Sequence, residues 1–526
     1  MIYLIPQTVR ESARRFPRKE AFRCGKQALT YLELEQQMLQ LARILVANGL
    51  QKGDRVGVFL NRCLETAPAL YGIMQAGGIY VPLDPFSPPE RIRFLIQDGG
   101  IRQIVTSPTQ SRALQKVLTE EPLPVETVIG TTRLETAVRQ IDWETVTNEP
   151  AQFEPAEALL ERDPAYMLYT SGSTGTPKGI IHTHYSGLAY AKLVASLYQI
   201  RAEDRIGNHA PIYFDISTLG YFAAPLMGAT TIIASDAHTK MPTSMAQLIE
   251  REAISIWYSV PLALVQMLQG GTLEQRDWSK LRLLLYAGEP FPVKHLRKLM
   301  QVLPHVKVSN VYGPTEVNQC TYYNLPGVPN GEESIPIGRV WGNTEMLIVD
   351  EHDREVVPGE VGELLIRSAT RMQGYWKNAE LTERSLFRRQ QVPGVDQVFY
   401  RTGDLVRMDT DGELRFLGRR DRQVKTRGFR VELDEVELAL LGHPGVDEVA
   451  VYTLRGSAEE QLIYAVALAK EGELLTAPDL LQHAKRRLPW YAVPQKIEIT
   501  DTLPRTGTGK IDRNTLRKRH LNTTDQ

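Results

Sequence analysis

Residues 165–170 read AYMLYT, a short apolar run that breaks at once into SGSTGTPKG (171–179), a stretch crowded with glycine and hydroxyl side chains. Six apolar-rich residues stopped by glycine are too few for a buried helix and fit a strand covered on both faces. The same texture recurs on either side. RVGVFL (55–60), RQIVTS (102–107), ATTIIAS (229–235), SIWYSV (255–260), LRLLLYAG (281–288) and VKVSNVYG (306–313) all read as buried strands. Between them, stretches such as 184–199, 244–252 and 293–302 carry helical periodicity. Strands alternating with helices predict an α/β body of largely parallel sheets with helices on their faces.

From about residue 335 the texture changes. GNTEMLIVDEHDREVVPGEVGELLIRS (342–368) has short strand-like runs and a turn at Pro358-Gly359, which predicts a β-rich subdomain. Beyond Asp421 a compact segment predicts helices near 433–442 and 478–487 and strands near 446–454, 462–469 and 495–499. The expected organisation is therefore a multi-subdomain body over 1–420 and a small α+β domain over 421–526. Near the start, Ile5, Val9, Ala13 and Phe16 are spaced to line one face of a first helix.

A chain of 526 residues exceeds what one hydrophobic core supports, which agrees with two or more domains. Its 61 basic and 62 acidic residues nearly cancel, so nothing in the charge points to nucleic acid or an anionic membrane as partner. Cys24, Cys63 and Cys320 lie far apart and form no metal-ligand or disulfide pattern, and a reducing cytoplasm fits that usage. No stretch approaches the roughly 18 apolar residues of a membrane span, and the N-terminus lacks the apolar core of a signal peptide.

The chemistry is concentrated in the loop after Thr170. Backbone NH groups freed by glycine, with serine and threonine hydroxyls, can wrap phosphate oxygens, and Lys178 supplies positive charge. The pattern is not the P-loop of nucleoside triphosphatases: Pro177 stands where that motif needs glycine, and Gly179 where it needs a hydroxyl. A polar surface loop would also accommodate these residues, so the context decides.

That context resembles the adenylate-forming superfamily, which comprises acyl-CoA synthetases, beetle luciferases and the adenylation domains of nonribosomal peptide synthetases. Besides Tyr169–Gly179, the matching segments are GGIYVPLDPFSPPER (77–91), NVYGPTE (310–316), YRTGDL (400–405), GRRDRQVKTRGFRVELDEVE (418–437) and PRTGTGKIDR (504–513), in the family's order. The resemblance implies that the chain uses ATP and Mg²⁺ to convert a carboxylate into an acyl adenylate and pyrophosphate. Thr170, Ser171, Gly172, Ser173, Thr174 and Lys178 would grip the β- and γ-phosphates. Tyr312 would stack on adenine with Gly288 and Asn310 nearby, Thr315 would contact phosphate, and Glu316 would hold the metal. Asp404 and Arg419 would take the ribose hydroxyls. Lys510 matches the family's catalytic lysine, although Thr508 replaces the usual asparagine in that motif. A glycine-flanked lysine suits a charge delivered to the reacting carboxylate and phosphate when a domain closes. Asp421 matches the hinge about which the small domain swings, and Lys425 with Gly428 would then lie near the phosphopantetheine tunnel.

Asp215, in YFDIS (213–217), separates the substrate classes. A carboxylate in a substrate pocket is costly unless it meets a cation. Amino acids bring an α-ammonium group, whereas fatty and aryl acids bring none. Asp215 could equally cap a helix starting near Ser217. The resemblance places Ile216, Leu219, Tyr258, Leu285, Ala287 and Val311 around the substrate, together with Gln319 and Cys320. This mostly aliphatic lining is similar to that of free-standing L-prolyl-AMP ligases, which load proline onto a discrete carrier protein. Only 13 residues follow Arg513, so the expected acceptor is the phosphopantetheine thiol of a separate carrier chain. Coenzyme A as acceptor, in an acyl- or aryl-CoA synthetase, is the alternative.

Overall fold

The computed structural model describes residues 1–526 except 173–174, 272, 332, 471, 506–510 and 525–526, with backbone alone at 521–524. By its contacts the chain divides into two units. The first comprises Met1–Pro85, Leu95–Tyr169 and Gly179–Arg420; the second comprises Phe86–Phe94, Thr170–Lys178 and Asp421–Gln526. The fold is α/β, with a large body and a smaller α+β unit.

Two sheets dominate the first unit. The nine-stranded sheet places Lys307–Tyr312, Leu283–Tyr286, Ile256–Ser259, Arg205–Asn208, Thr230–Ile233 and Glu20–Cys24 side by side, all parallel. Antiparallel strands Thr321–Asn324 and Gln27–Thr30 flank that run. In the eight-stranded sheet, Pro164–Thr170, Ile79–Pro82, Arg55–Phe59, Gln103–Thr106, Thr127–Ile129 and Arg139–Ile141 follow one another in parallel. All four residues of Leu283–Tyr286 and of Gln103–Thr106 are buried, as strands covered on both faces require. Helices Tyr31–Ala47, Thr66–Gln75 and His184–Leu197 pack in the main apolar cluster with these strands. The first helix, Pro6–Arg15, buries Val9 and Ala13; Ile5 is also buried but precedes the helix, and Phe16 ends it.

The β-rich part is an antiparallel five-stranded sheet of Thr344–Val349, Val361–Ser368, Leu386–Val392, Val395–Met408 and Leu414–Arg419. The turn at Pro358-Gly359 is made by Gly359 with φ +96°, a value glycine adopts without steric cost.

In the second unit, helices Leu433–Leu441 and Ala477–Arg487 pack on the three-stranded sheet Val446–Arg455, Gln461–Ala469 and Lys496–Thr500. Val436, Leu440, Val451, Ile463, Leu480 and Ala484 fill its core. A hairpin, Gln423–Thr426 with Phe429–Glu432, precedes the first of these helices. Arg91 joins the unit through Glu435 at 2.7 Å, an ion pair whose side chains are 9% and 6% exposed.

Candidate active site

The residues of the first unit expected to bind the nucleotide include the end of strand Lys307–Tyr312. The chain there turns through Gly313-Pro-Thr-Glu-Val-Asn318, and a side chain on Gly313 would sit 2.3 Å from the Asn318 carbonyl. Only glycine tolerates that approach. Tyr312 is buried and its hydroxyl donates to Asp404 Oδ2. Burial pushes this phenol well above its usual range, and the Asp404 charge adds to the rise, so the hydroxyl keeps its proton. Asp404 and Arg419 face each other on neighbouring antiparallel strands. Arg419 Nη1 donates to Asp404 Oδ1 at 2.8 Å and to the Thr402 carbonyl at 2.9 Å. Tyr312, Asp404 and Arg419 are thus one hydrogen-bonded group. Asn310 Nδ2 donates to the Pro336 carbonyl at 2.7 Å, and Gly288 has φ +101°.

Glu316 is fully buried and accepts at Oε1 from the Tyr375 hydroxyl at 2.8 Å. The neighbouring Thr315 carbonyl lies 2.9 Å from His182 Nε2, while His182 Nδ1 lies 3.2 Å from the Ser186 hydroxyl. Burial lowers the His182 pKa to about 4, so this histidine is neutral and holds the loop by hydrogen bonding alone. A buried carboxylate oriented by a hydroxyl fits a hard cation, since Mg²⁺ commonly takes one or two protein carboxylates with substrate phosphates. Tyr375 and His182 were not among the residues expected from sequence. The motif NVYGPTE carries Glu316 but gives no sign of what holds it.

In the second unit, Thr170, Ser171, Gly172 and Lys178 lie in the loop itself. Ser171 Oγ donates to the Arg430 carbonyl at 3.1 Å and accepts from Glu432 N at 3.2 Å. Thr170 Oγ1 is buried and has no hydrogen-bond partner among the described residues, a hydroxyl suited to an external oxyanion. Asp421 is the first residue of the last segment of this unit and accepts from Gln423 N at 3.2 Å. Lys425 pairs with Arg430 across the hairpin, with Gly428 in its turn at φ +80°. Ser173, Thr174 and Lys510 lie outside the described residues.

The amino-acid side is of another kind. Asp215 is half-buried and opens a single 3-10 turn, Asp215–Ser217, whose first carbonyl accepts from Thr218 Oγ1 at 2.5 Å. Ile216, Leu219, Tyr258, Leu285, Ala287 and Val311 are all buried in one apolar cluster, with Tyr258 and Leu285 paired across adjacent strands. Gln319 Nε2 donates to the Tyr258 hydroxyl. Cys320, expected in the same lining, packs with Tyr312 and Val317, its Sγ 3.6 Å from the Tyr312 carbonyl. Two further tyrosines, which no motif marks, lie near Asp215. Burial raises the Tyr166 and Tyr190 hydroxyls far above the phenol range, with Asp215 adding to both shifts. Hydrogen bonding from Asn318 and Ser186 to Tyr166, and from Thr218 to Tyr190, opposes the rise.

Residues 9–376 match the AMP-binding enzyme family, and 435–510 match the AMP-binding enzyme C-terminal domain. The chain belongs to the AMP-binding enzymes. It is an adenylate-forming ligase that uses ATP. An L-proline–[L-prolyl-carrier protein] ligase of Pseudomonas fluorescens is 34% identical over 511 residues, 97% of this chain and 98% of its own length. A ligase of the same name from Streptomyces coelicolor is 34% identical over 93% of this chain and 91% of its own. Among solved structures, a nonribosomal peptide synthetase protein containing adenylation and PCP domains aligns with a TM-score of 0.81. That likeness is at 26% identity and covers 98% of this chain and 84% of the other. Among the described residues, no helix is long and apolar enough to cross a membrane.

Proposed function

We propose that this AMP-binding enzyme activates L-proline as prolyl-AMP and passes the prolyl group to the phosphopantetheine thiol of a separate carrier protein. The observation that carries the reading is Asp215 beside the main apolar cluster, which holds the aliphatic residues expected around the substrate. One half-buried carboxylate suits an α-ammonium group, and Ile216, Leu219, Leu285, Ala287 and Val311 suit a compact hydrocarbon ring. The kinship to two proline–carrier ligases along nearly their full lengths supports the same substrate.

In this reading the proline carboxylate attacks the α-phosphorus of ATP, the acyl–phosphate bond forms, and the bond to the pyrophosphate oxygen breaks. The Tyr312–Asp404–Arg419 group binds the nucleoside, and Thr170–Lys178 holds the leaving phosphates. Bound at Glu316, Mg²⁺ supplies charge compensation for the phosphate oxygens. Lys510 neutralises charge on the carboxylate and α-phosphate during attack. Rotation of the small domain about Asp421 then withdraws Lys510 and brings Lys425 and Gly428 toward the incoming thiol.

Pyrophosphate exchange across the common amino acids, pipecolate, 3,4-dehydroproline and benzoate tests the reading. Proline should lead, with weak leakage to small aliphatic amino acids, because an apolar pocket rejects a missing methylene only modestly. A tenfold lead for valine, an aromatic amino acid or benzoate would overturn it. Replacing the carrier protein by coenzyme A distinguishes the alternative acceptor.

A further inference from the structure

Residues Gly374-Tyr-Trp-Lys377 touch Gly179, Asp98 and Glu316, yet belong to no motif expected to contact substrate. Gly374 and Tyr375 pair antiparallel with Ile181 and Ile180 in the strand that leaves the phosphate loop. Trp376 N donates to the Gly179 carbonyl at 2.8 Å. A side chain on Gly179 would sit 2.9 Å from Met167 Sδ and 3.1 Å from Trp376 Cβ, so the loop's exit is pressed between the entering strand and Trp376. The loop's entrance is held through Asp98. Its carboxylate accepts from the Tyr169 hydroxyl, and its carbonyl accepts from Trp376 Nε1 at 2.9 Å and Lys377 Nζ at 2.7 Å. The Arg55 guanidinium lies 4.8 Å from the Trp376 ring centre and covers it.

Tyr375 and the residues just before the stretch hold the candidate metal carboxylate and its loop. Besides the Tyr375 hydroxyl on Glu316 Oε1, Met372 N donates to the Glu316 carbonyl at 2.7 Å and Thr370 Oγ1 to the Val317 carbonyl at 2.6 Å. Glu316 is fully buried, so no bulk water substitutes for that hydroxyl in setting the rotation of its carboxylate.

We propose that Gly374–Lys377 is the positioning element of the nucleotide site, with Tyr375 orienting Glu316 toward Mg²⁺ and Trp376 setting the spacing of the phosphate-loop ends. This rests on the reading of Glu316 as metal ligand and of 170–178 as phosphate loop. Both residues act through others, so substitution should alter nucleotide binding in separable ways. The probe is a non-hydrolysable ATP analogue titrated calorimetrically without amino acid, in excess Mg²⁺ and in EDTA. Tyr375→Phe should weaken binding about tenfold with Mg²⁺, as for a lost hydrogen bond to a charged group, and leave the affinity in EDTA within about twofold. Its Mg²⁺ midpoint should rise by the same factor. In Glu316→Gln the further change Tyr375→Phe should add nothing. Trp376→Phe, which keeps Tyr375, should weaken binding equally with and without metal and leave the Mg²⁺ midpoint in place. A Tyr375→Phe protein weakened equally in both buffers, or unchanged in both, overturns the assignment, as does full additivity with Glu316→Gln. The titrations contain no amino acid, so a mistaken substrate assignment leaves them intact, whereas a chain that binds no adenine nucleotide sinks both readings.

Discussion

The two halves of the candidate site in the large unit hold their residues by opposite means. On the nucleotide side, Tyr312, Asp404, Arg419, Glu316 and Tyr375 are tied into hydrogen bonds on several strands. On the expected amino-acid side, one half-buried carboxylate lies beside the main apolar cluster, near the buried hydroxyls of Tyr166 and Tyr190. A site that binds the same nucleotide in every turnover can be fully preorganised. A site that selects one side chain needs volume and one fixed charge. Substitutions on the first side should therefore cost both stability and ATP binding, while those on the second should change selectivity with little effect on folding.

Lys510 stands outside this comparison, and its removal should give the largest effect. Lys510→Ala should slow adenylation about 10²-fold or more, the range for losing a charge that acts in the transition state. Transfer of the aminoacyl group from preformed adenylate to the carrier should survive far better. Single-turnover measurements of the two half-reactions check this, and equal loss in both would break the two-state picture of the small domain.

Asp215→Asn should come next. Losing a charge-assisted pair of roughly 1.5–3 kcal/mol lowers proline kcat/KM about 10- to 100-fold. The affinity for ATP and the melting temperature should hardly move, because Asp215 sits on a short turn and is half-buried. A fall in ATP affinity of the same size would show that the two sides are not separable.

Asp404→Asn probes the saturated side. It leaves Arg419, whose side chain is 12% exposed, beside a neutral amide. The expected cost is about 1–3 kcal/mol of stability, read by chemical denaturation, with the KM for ATP raised about tenfold and the ranking of amino acids unchanged. A changed amino-acid ranking would contradict the division of labour.

The same contrast explains what the sequence made legible. The strands at 55, 103, 164, 230, 256, 283 and 307 were readable because runs buried on both faces have no polar alternation to confuse them. Thr170, Glu316, Asp404 and Arg419 stand in contiguous motifs whose resemblance to a family gave them expected roles. Tyr375 and His182 were not, because each acts across a fold-dependent distance: Tyr375 lies 59 positions from Glu316, and His182 lies 133 from Thr315. Nothing in GYWK (374–377) or HTH (182–184) marks which distant residue each one holds. The amino-acid lining was carried by resemblance alone, since Leu285 or Val311 in isolation is indistinguishable from any buried aliphatic residue.

Cys320 gives the smallest effect and the sharpest separation of the two sides. It is fully buried, but its neighbours are Tyr312, Val317 and the Tyr312 carbonyl, which belong to the nucleotide half. Cys320→Ser keeps the shape, replaces a weak thiol donor by a hydroxyl that can also reach that carbonyl, and opens little space. The stability change should stay below about 1 kcal/mol, because the burial lost with the sulfur is offset in part by a better hydrogen bond. Relative rates of pyrophosphate exchange for proline, valine and alanine should stay within about twofold of the parent enzyme, since an apolar contact that does not touch the substrate contributes nothing to discrimination. If this substitution instead reorders those three amino acids, Cys320 lines the substrate pocket after all, and the boundary between the two halves lies on the other side of Gln319.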